Sequence, residues 1–100
     1  MAVCMEAGKT IEVPQLPTLS DGTAGNLDPG SMTVPICKKV VDSTVLVTEK
    51  EIADAMRLIY KKHGTKVEGA AGCALAGYLK DRKRNGNKKS CVVICGQNID

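Results

Sequence analysis

The sequence predicts an α/β chain, a partial parallel sheet with flanking helices. Two short apolar runs separated by two helical patterns predict it: Val45–Val47 and Ser90–Cys95 have the look of buried strands, and 48–64 and 68–80 read as helices between them. A strand–helix–helix–strand order gives a crossover long enough to make the two strands parallel, and such crossovers are right-handed. The organisation expected over 1–100 is a loop-rich lead-in, 1–30, followed by helix, strand, helix, helix and strand over 31–100.

Residues 1–35 hold all four prolines, Pro14, Pro17, Pro29 and Pro35, and the glycine-rich stretch Asp21–Gly30, a composition that punctuates structure rather than propagating it. Thr10–Val13 reads as a short strand ended by Pro14. Met32, Ile36, Val40 and Val41 recur at close to helical spacing, with Pro35 early enough to be tolerated, so 32–41 is expected to be helical. After Val45–Val47, Thr48 and Glu51 stand at capping-box spacing, and Glu49 adds negative charge at the positive end of the helix dipole. Ile52, Ala55, Met56 and Ile59 then form one apolar stripe, Lys61 and Lys62 suit the helix C-terminus, and Gly64 stops it. In the next helix Ala70, Ala71, Gly72, Cys73, Ala74, Ala76 and Gly77 lie all round, which predicts close packing on several sides.

With 100 residues, no Phe or Trp, and Tyr60 and Tyr78 as the only aromatics, the core must be thin. A hydrophobic fraction of 43% against 25% charge still describes a folded chain rather than a disordered one. No apolar run is long enough to cross a bilayer, and Met1–Gly8 lacks the basic and apolar regions of a signal peptide, so a cytoplasmic location with reduced thiols is expected. Five cysteines without a CxxC, and a lone His63, do not match metal-ligand spacing; most of the cysteines read as small buried hydrophobes. The cluster Lys80, Arg82, Lys83, Arg84, Lys88 and Lys89 has no interleaved aromatics, and the net charge is only +3, so a solvated helix end is favoured over a nucleic-acid site.

Ligands of open α/β sheets sit beyond the carboxyl ends of the strands, which points to Cys95, Gly96, Gln97 and Asn98. On spacing alone a glycine and an amide after a strand are more often just a turn. Asp21–Gly30 is neither GxGxxG nor a phosphate-binding loop ending in Lys-Ser or Lys-Thr, and chemistry alone leaves a ligand loop and a surface turn about equally open.

Four segments in register, PTLSDGTAG (17–25), VTEKEIADAM (47–56), VEGAAGCALA (67–76) and VVICGQNID (92–100), resemble the last part of the serine/threonine dehydratases and serine racemases. Those are fold-type II pyridoxal-phosphate enzymes, relatives of the tryptophan synthase β subunit, and the resemblance covers nearly the whole chain. It implies that the chain is the C-terminal part of the large domain of such an enzyme. CGQN stands where the family usually has Ser-Gly-Gly-Asn or Ser-Gly-Ala-Asn, so the resemblance implies Cys95 at the pyridine nitrogen of pyridoxal 5′-phosphate, followed by Gly96. It also sets Asp21 and Gly22 in the loop beside the cofactor and Glu68 near the pyridine edge. Asn98 matches a residue that contacts nucleotide at a subunit interface in some serine racemases.

The family's Schiff-base lysine, the asparagine at the cofactor's 3′ oxygen and the phosphate-cradling glycine loop match nothing in these 100 residues. A fragment inactive alone is therefore expected, with an amino acid as substrate of the intact enzyme, no metal, and neither nucleic acid nor membrane as partner. The alternative is a non-catalytic truncated paralogue that associates with itself or with full-length enzyme. A half-sheet with an open edge should be marginally stable and prone to associate.

Overall fold

Helices form where a chain can close its own backbone hydrogen bonds between near neighbours, and among the described residues this chain does so in α1 (Ala2–Ala7), α2 (Thr33–Val40), α3 (Glu49–His63) and α4 (Gly69–Lys80). The computed structural model describes residues 1–10, 12, 17–20, 25–82, 86 and 88–95. Contacts divide the chain into two units, Met1–Leu16 with Gly25–Thr44, and Pro17–Ala24 with Val45–Asp100.

In the first unit, α1 was not foreseen. Its signal is short: the good helix formers Ala2, Met5, Glu6 and Ala7, then Gly8, whose left-handed backbone at φ 78° lets its N–H return to the Cys4 carbonyl. Helix α2 lies within the range expected, but the stripe that predicted it is not its buried side. Met32, Ile36 and Val40 are exposed, whereas Val34 is 1% exposed and, with Cys4, is a buried apolar residue of this unit. Of the expected strand Thr10–Val13, Ile11 and Val13 lie outside the described residues.

The second unit is built on α3 and α4. Thr48 Oγ1 accepts the Glu51 N–H at 3.2 Å and Glu51 Oε1 accepts the Thr48 N–H at 2.8 Å, which completes the capping box. Gly64, at φ 67°, closes the other end by donating to the Tyr60 carbonyl. The stripe faces inward as its spacing requires, with Ile52, Ala55 and Ile59 buried. Ile59, Val67 and Ala71 form the central cluster, and Leu75 packs against it. Gly72 lets the two helices approach, because a Cβ there would stand 2.5 Å from Met56 Cγ and 3.0 Å from the Ile52 carbonyl oxygen. Helix α4 buries Gly69, Ala71, Gly72 and Ala76 but exposes Ala74 and Leu79, so its small residues serve one seam rather than every side.

The expected parallel sheet is absent among the described residues: neither Val45–Val47 nor Ser90–Cys95 is paired in a ladder. A strand leaves its N–H and C=O groups to be satisfied by a neighbouring strand, and these two runs are not neighbours in that sense. The first keeps the alternation of a strand nonetheless: Val45 and Val47 are half-buried while Leu46 is 77% exposed. In the second only Val92 is half-buried, with Val93 66% and Ile94 44% exposed. Lys80 anchors the first run, its ammonium donating to the Leu46 carbonyl at 2.7 Å and meeting Glu51 Oε1 at 3.3 Å.

Candidate functional site

The start of α4 is the meeting point of the second unit. Glu68 is its N-cap residue, in extended backbone at ψ 164°, and its carboxylate makes no capping hydrogen bond. Gly69 follows, and only a glycine fits, because a Cβ would run into the carbonyl of Leu19 and reach 2.6 Å from Ser20 Cα. The turn Thr18–Ser20 is thereby seated against the first residue of the helix, and Ser20 is buried.

Glu49, the first residue of α3, holds that turn. Its Oε1 accepts the Thr18 hydroxyl at 2.5 Å and its Oε2 accepts the Leu19 N–H at 2.8 Å, while the Ser20 N–H donates to Thr18 Oγ1 at 3.1 Å. The Thr18 hydroxyl, and after it the Leu19 amide, keep the Glu49 carboxyl below the usual glutamate range. Glu51 is held low as well, first by the Thr48 N–H and more weakly by Lys80.

A cavity of ≈ 340 Å³ opens among Ile59, His63, Thr65, Val67, Leu75, Val92 and Ile94. Val67 precedes Glu68 and Ile94 precedes Cys95 in the chain, so the cavity wall joins the two segments that carry those site residues.

Of the residues singled out from the sequence, Glu68 stands at the α4 N-terminus and Cys95 is exposed at the end of the second apolar run. Asp21, Gly22, Gly96 and Asn98 lie outside the described residues. The described neighbours nonetheless bring two of the segments together, since Ser20 abuts Gly69. The cysteines correct one expectation: Cys4 is buried, Cys37 and Cys73 are half-buried, and Cys91 and Cys95 are exposed. Cys91 and Cys95, four positions apart, fall on the same side of an extended run, and both face outward because that side lacks a covering layer.

Glu49 and Thr18 were missed as site residues. Glu49 was read only as a charge on the helix dipole, and no local pattern links residues 30 positions apart. Among the described residues, no helix is long and apolar enough to cross a membrane.

A turn, a helix N-terminus and an exposed thiol are carried on one two-helix scaffold. Residues 1–96 match the family of pyridoxal-phosphate dependent enzymes. The L-threonine ammonia-lyase of Geobacter sulfurreducens is 40% identical over 96 residues, covering 96% of this chain and 24% of that protein. The serine racemase of Arabidopsis thaliana is 33% identical over 99 residues, covering 94% of this chain and 29% of that protein. The crystal structure of serine racemase from Dictyostelium discoideum matches with a TM-score of 0.81 at 31% identity, over 98% of this chain and 31% of that one. The chain belongs to the pyridoxal-phosphate dependent enzyme family. It spans about a quarter of the length of the L-threonine ammonia-lyases it resembles.

Proposed function

We propose that these residues form the pyridine side of the cofactor site in a pyridoxal-phosphate dependent L-serine or L-threonine dehydratase acting in the cytoplasm. The observation that carries this reading is the seating of the Thr18–Ser20 turn against Gly69 beside Glu68, in a chain whose relatives include L-threonine ammonia-lyases. The described residues fit a flat, polar ring on two counts. The Glu68 carboxylate is not used up in capping its own helix, and Cys95 is open to a ligand.

Pyridoxal phosphate, when bound, supplies the electron withdrawal that loosens the substrate's Cα proton. In this reading the Cys95 thiol, a weak donor, would face the pyridine nitrogen and leave it unprotonated, which suits loss of a β-substituent over reactions that need a full electron sink. Glu68 would lie along the pyridine edge, and Asp21, Gly22, Gly96 and Asn98, which the resemblance assigns to the same side, lie outside the described residues. The net reaction releases ammonia and leaves a 2-oxo acid: the β-hydroxyl departs as water, and a water taken up when the resulting imine hydrolyses releases ammonia, giving 2-oxobutanoate from L-threonine.

The 100 residues alone are proposed to be catalytically silent, because no lysine among them lies in a motif matching the family's Schiff-base lysine. Purified chain given pyridoxal phosphate and L-threonine should produce no 2-oxobutanoate; sustained production would overturn this.

The exposed Leu46 and Val93 favour a second reading, in which the chain acts without catalysis by associating with a full-length family member or with itself. Co-purification with a full-length dehydratase supports it, and a monodisperse monomer that ignores the enzyme counts against it.

A further inference from the structure

The first turn of α3 carries two glutamates with separate tasks. Glu51 turns back to the Thr48 N–H and completes the helix cap with no help from Glu49. Glu49 instead reaches a turn about 30 residues away and takes two donors from it, the Thr18 hydroxyl and the Leu19 N–H. The carbonyl of the same Leu19 lies against Gly69. One residue is thus gripped at its N–H by α3 and stopped at its C=O by the first residue of α4, next to Glu68.

We propose that Glu49 is a positioning residue for the cofactor site, fixing the Thr18–Ser20 turn against Glu68–Gly69 so that the start of α4 keeps the geometry in which it meets the pyridine ring. This rests on the functional reading above and adds a residue to it that touches neither cofactor nor substrate. The carboxylate form is the one that grips, since only it offers both oxygens as acceptors.

The test uses the 100-residue chain and NMR of its backbone amides, with pyridoxine 5′-phosphate as probe, because that vitamer has no aldehyde to react with surface lysines. In the wild type, the Glu68 amide should shift on addition of the probe. In Glu49→Ala and Thr18→Val that shift should fall several-fold. Exchange of the Leu19 amide should rise about tenfold in Glu49→Ala, the scale of one charge-assisted hydrogen bond lost. Thr18→Ser, which keeps the hydroxyl, should restore the wild-type response. Glu51→Ala should loosen the α3 cap yet leave the Glu68 response intact, which separates positioning from general helix stability. The Leu19 amide shift should follow the titration of Glu49. Should Glu49→Ala fail to fold, Glu49→Gln, which retains one acceptor oxygen, carries the same comparison. A Glu68 response in Glu49→Ala equal to the wild type's overturns the positioning role alone. A wild type whose Glu68 ignores the probe overturns the cofactor-site reading and this role with it, even if Leu19 exchange still depends on Glu49.

Discussion

Helices α3 and α4 and the two more apolar runs beside them have opposite fates. The helices meet their own hydrogen-bonding needs within four residues, so local signals are enough to place them, and in α3 these are a capping box, an apolar stripe and a left-handed glycine. Val45–Val47 and Ser90–Cys95 have strand composition, but a strand is completed only by another strand. Val45, Val47 and Val92 are half-buried, while Leu46, Val93 and Ile94 are presented to solvent. Structure that is satisfied locally is present in this chain; structure that depends on a distant partner is only poised.

The sharpest way to break that contrast is to weaken each region in turn. Ile59 is 5% exposed at the centre of the Ile59–Val67–Ala71 cluster, so Ile59→Ala should cost about 2–5 kcal/mol, read as a fall in the urea midpoint. Val93→Ala, at a position 66% exposed, should cost less than about 0.5 kcal/mol. Equal losses would mean that the second run is as much part of the core as the helices.

Gly69→Ala comes next. The added methyl must push against the Leu19 backbone rather than a flexible side-chain tip, so a loss of about 1–3 kcal/mol is expected despite alanine's better helix propensity. Released exchange at Leu19 and Ser20 should accompany it. A stabilised Gly69→Ala chain would show that the turn is not seated on α4.

Acid sharpens the comparison through electrostatics. Glu49 is held low by Thr18 and then Leu19, and Glu51 by the Thr48 N–H, so at mildly acidic pH the folded chain binds fewer protons at these sites than the unfolded one. Their contribution is present above the ordinary glutamate pKa, about 4.3, and is lost as the pH falls through the depressed folded values. Both carboxylates are solvent-facing, so the change should be modest and weakened by salt. A pH series of urea midpoints checks it: wild type should lose stability below about pH 4.3 more than the Glu49→Gln, Glu51→Gln double variant does.

The same local-versus-distant distinction explains how much was legible in the sequence. Thr48, Glu51, the Ile52–Ile59 stripe and Gly64 announced α3 almost to the residue, because each acts within one or two turns of where it stands. For α2 the stripe Met32–Ile36–Val40 predicted a helix but named the wrong face: periodicity shows that a helix can form and not which side finds cover. Helix α1 escaped because six residues give too short a window for a period to show. At the candidate site, Glu68 and Cys95 were reached through resemblance of four segments. The Glu49 clamp on Thr18 and Leu19 was invisible because nothing in 30 intervening residues codes for the contact.

Leu46→Thr and Val93→Thr should have the smallest effect on folding and discriminate most finely between the two readings of the runs. Both side chains are mostly exposed, and threonine, β-branched like the valine it replaces at 93, removes apolar surface at either position, so each change should move the urea midpoint by less than about 0.5 kcal/mol equivalent. If the outward faces of the runs are where this chain meets another copy or a full-length relative, the double variant should lose that association while folding unchanged, because burial of Leu46 and Val93 would then count only in the complex. Sedimentation of wild type and double variant over a concentration series separates the cases. A wild type that associates and a double variant that associates equally well would place the contact elsewhere and leave the two runs as exposed strands of a site wall.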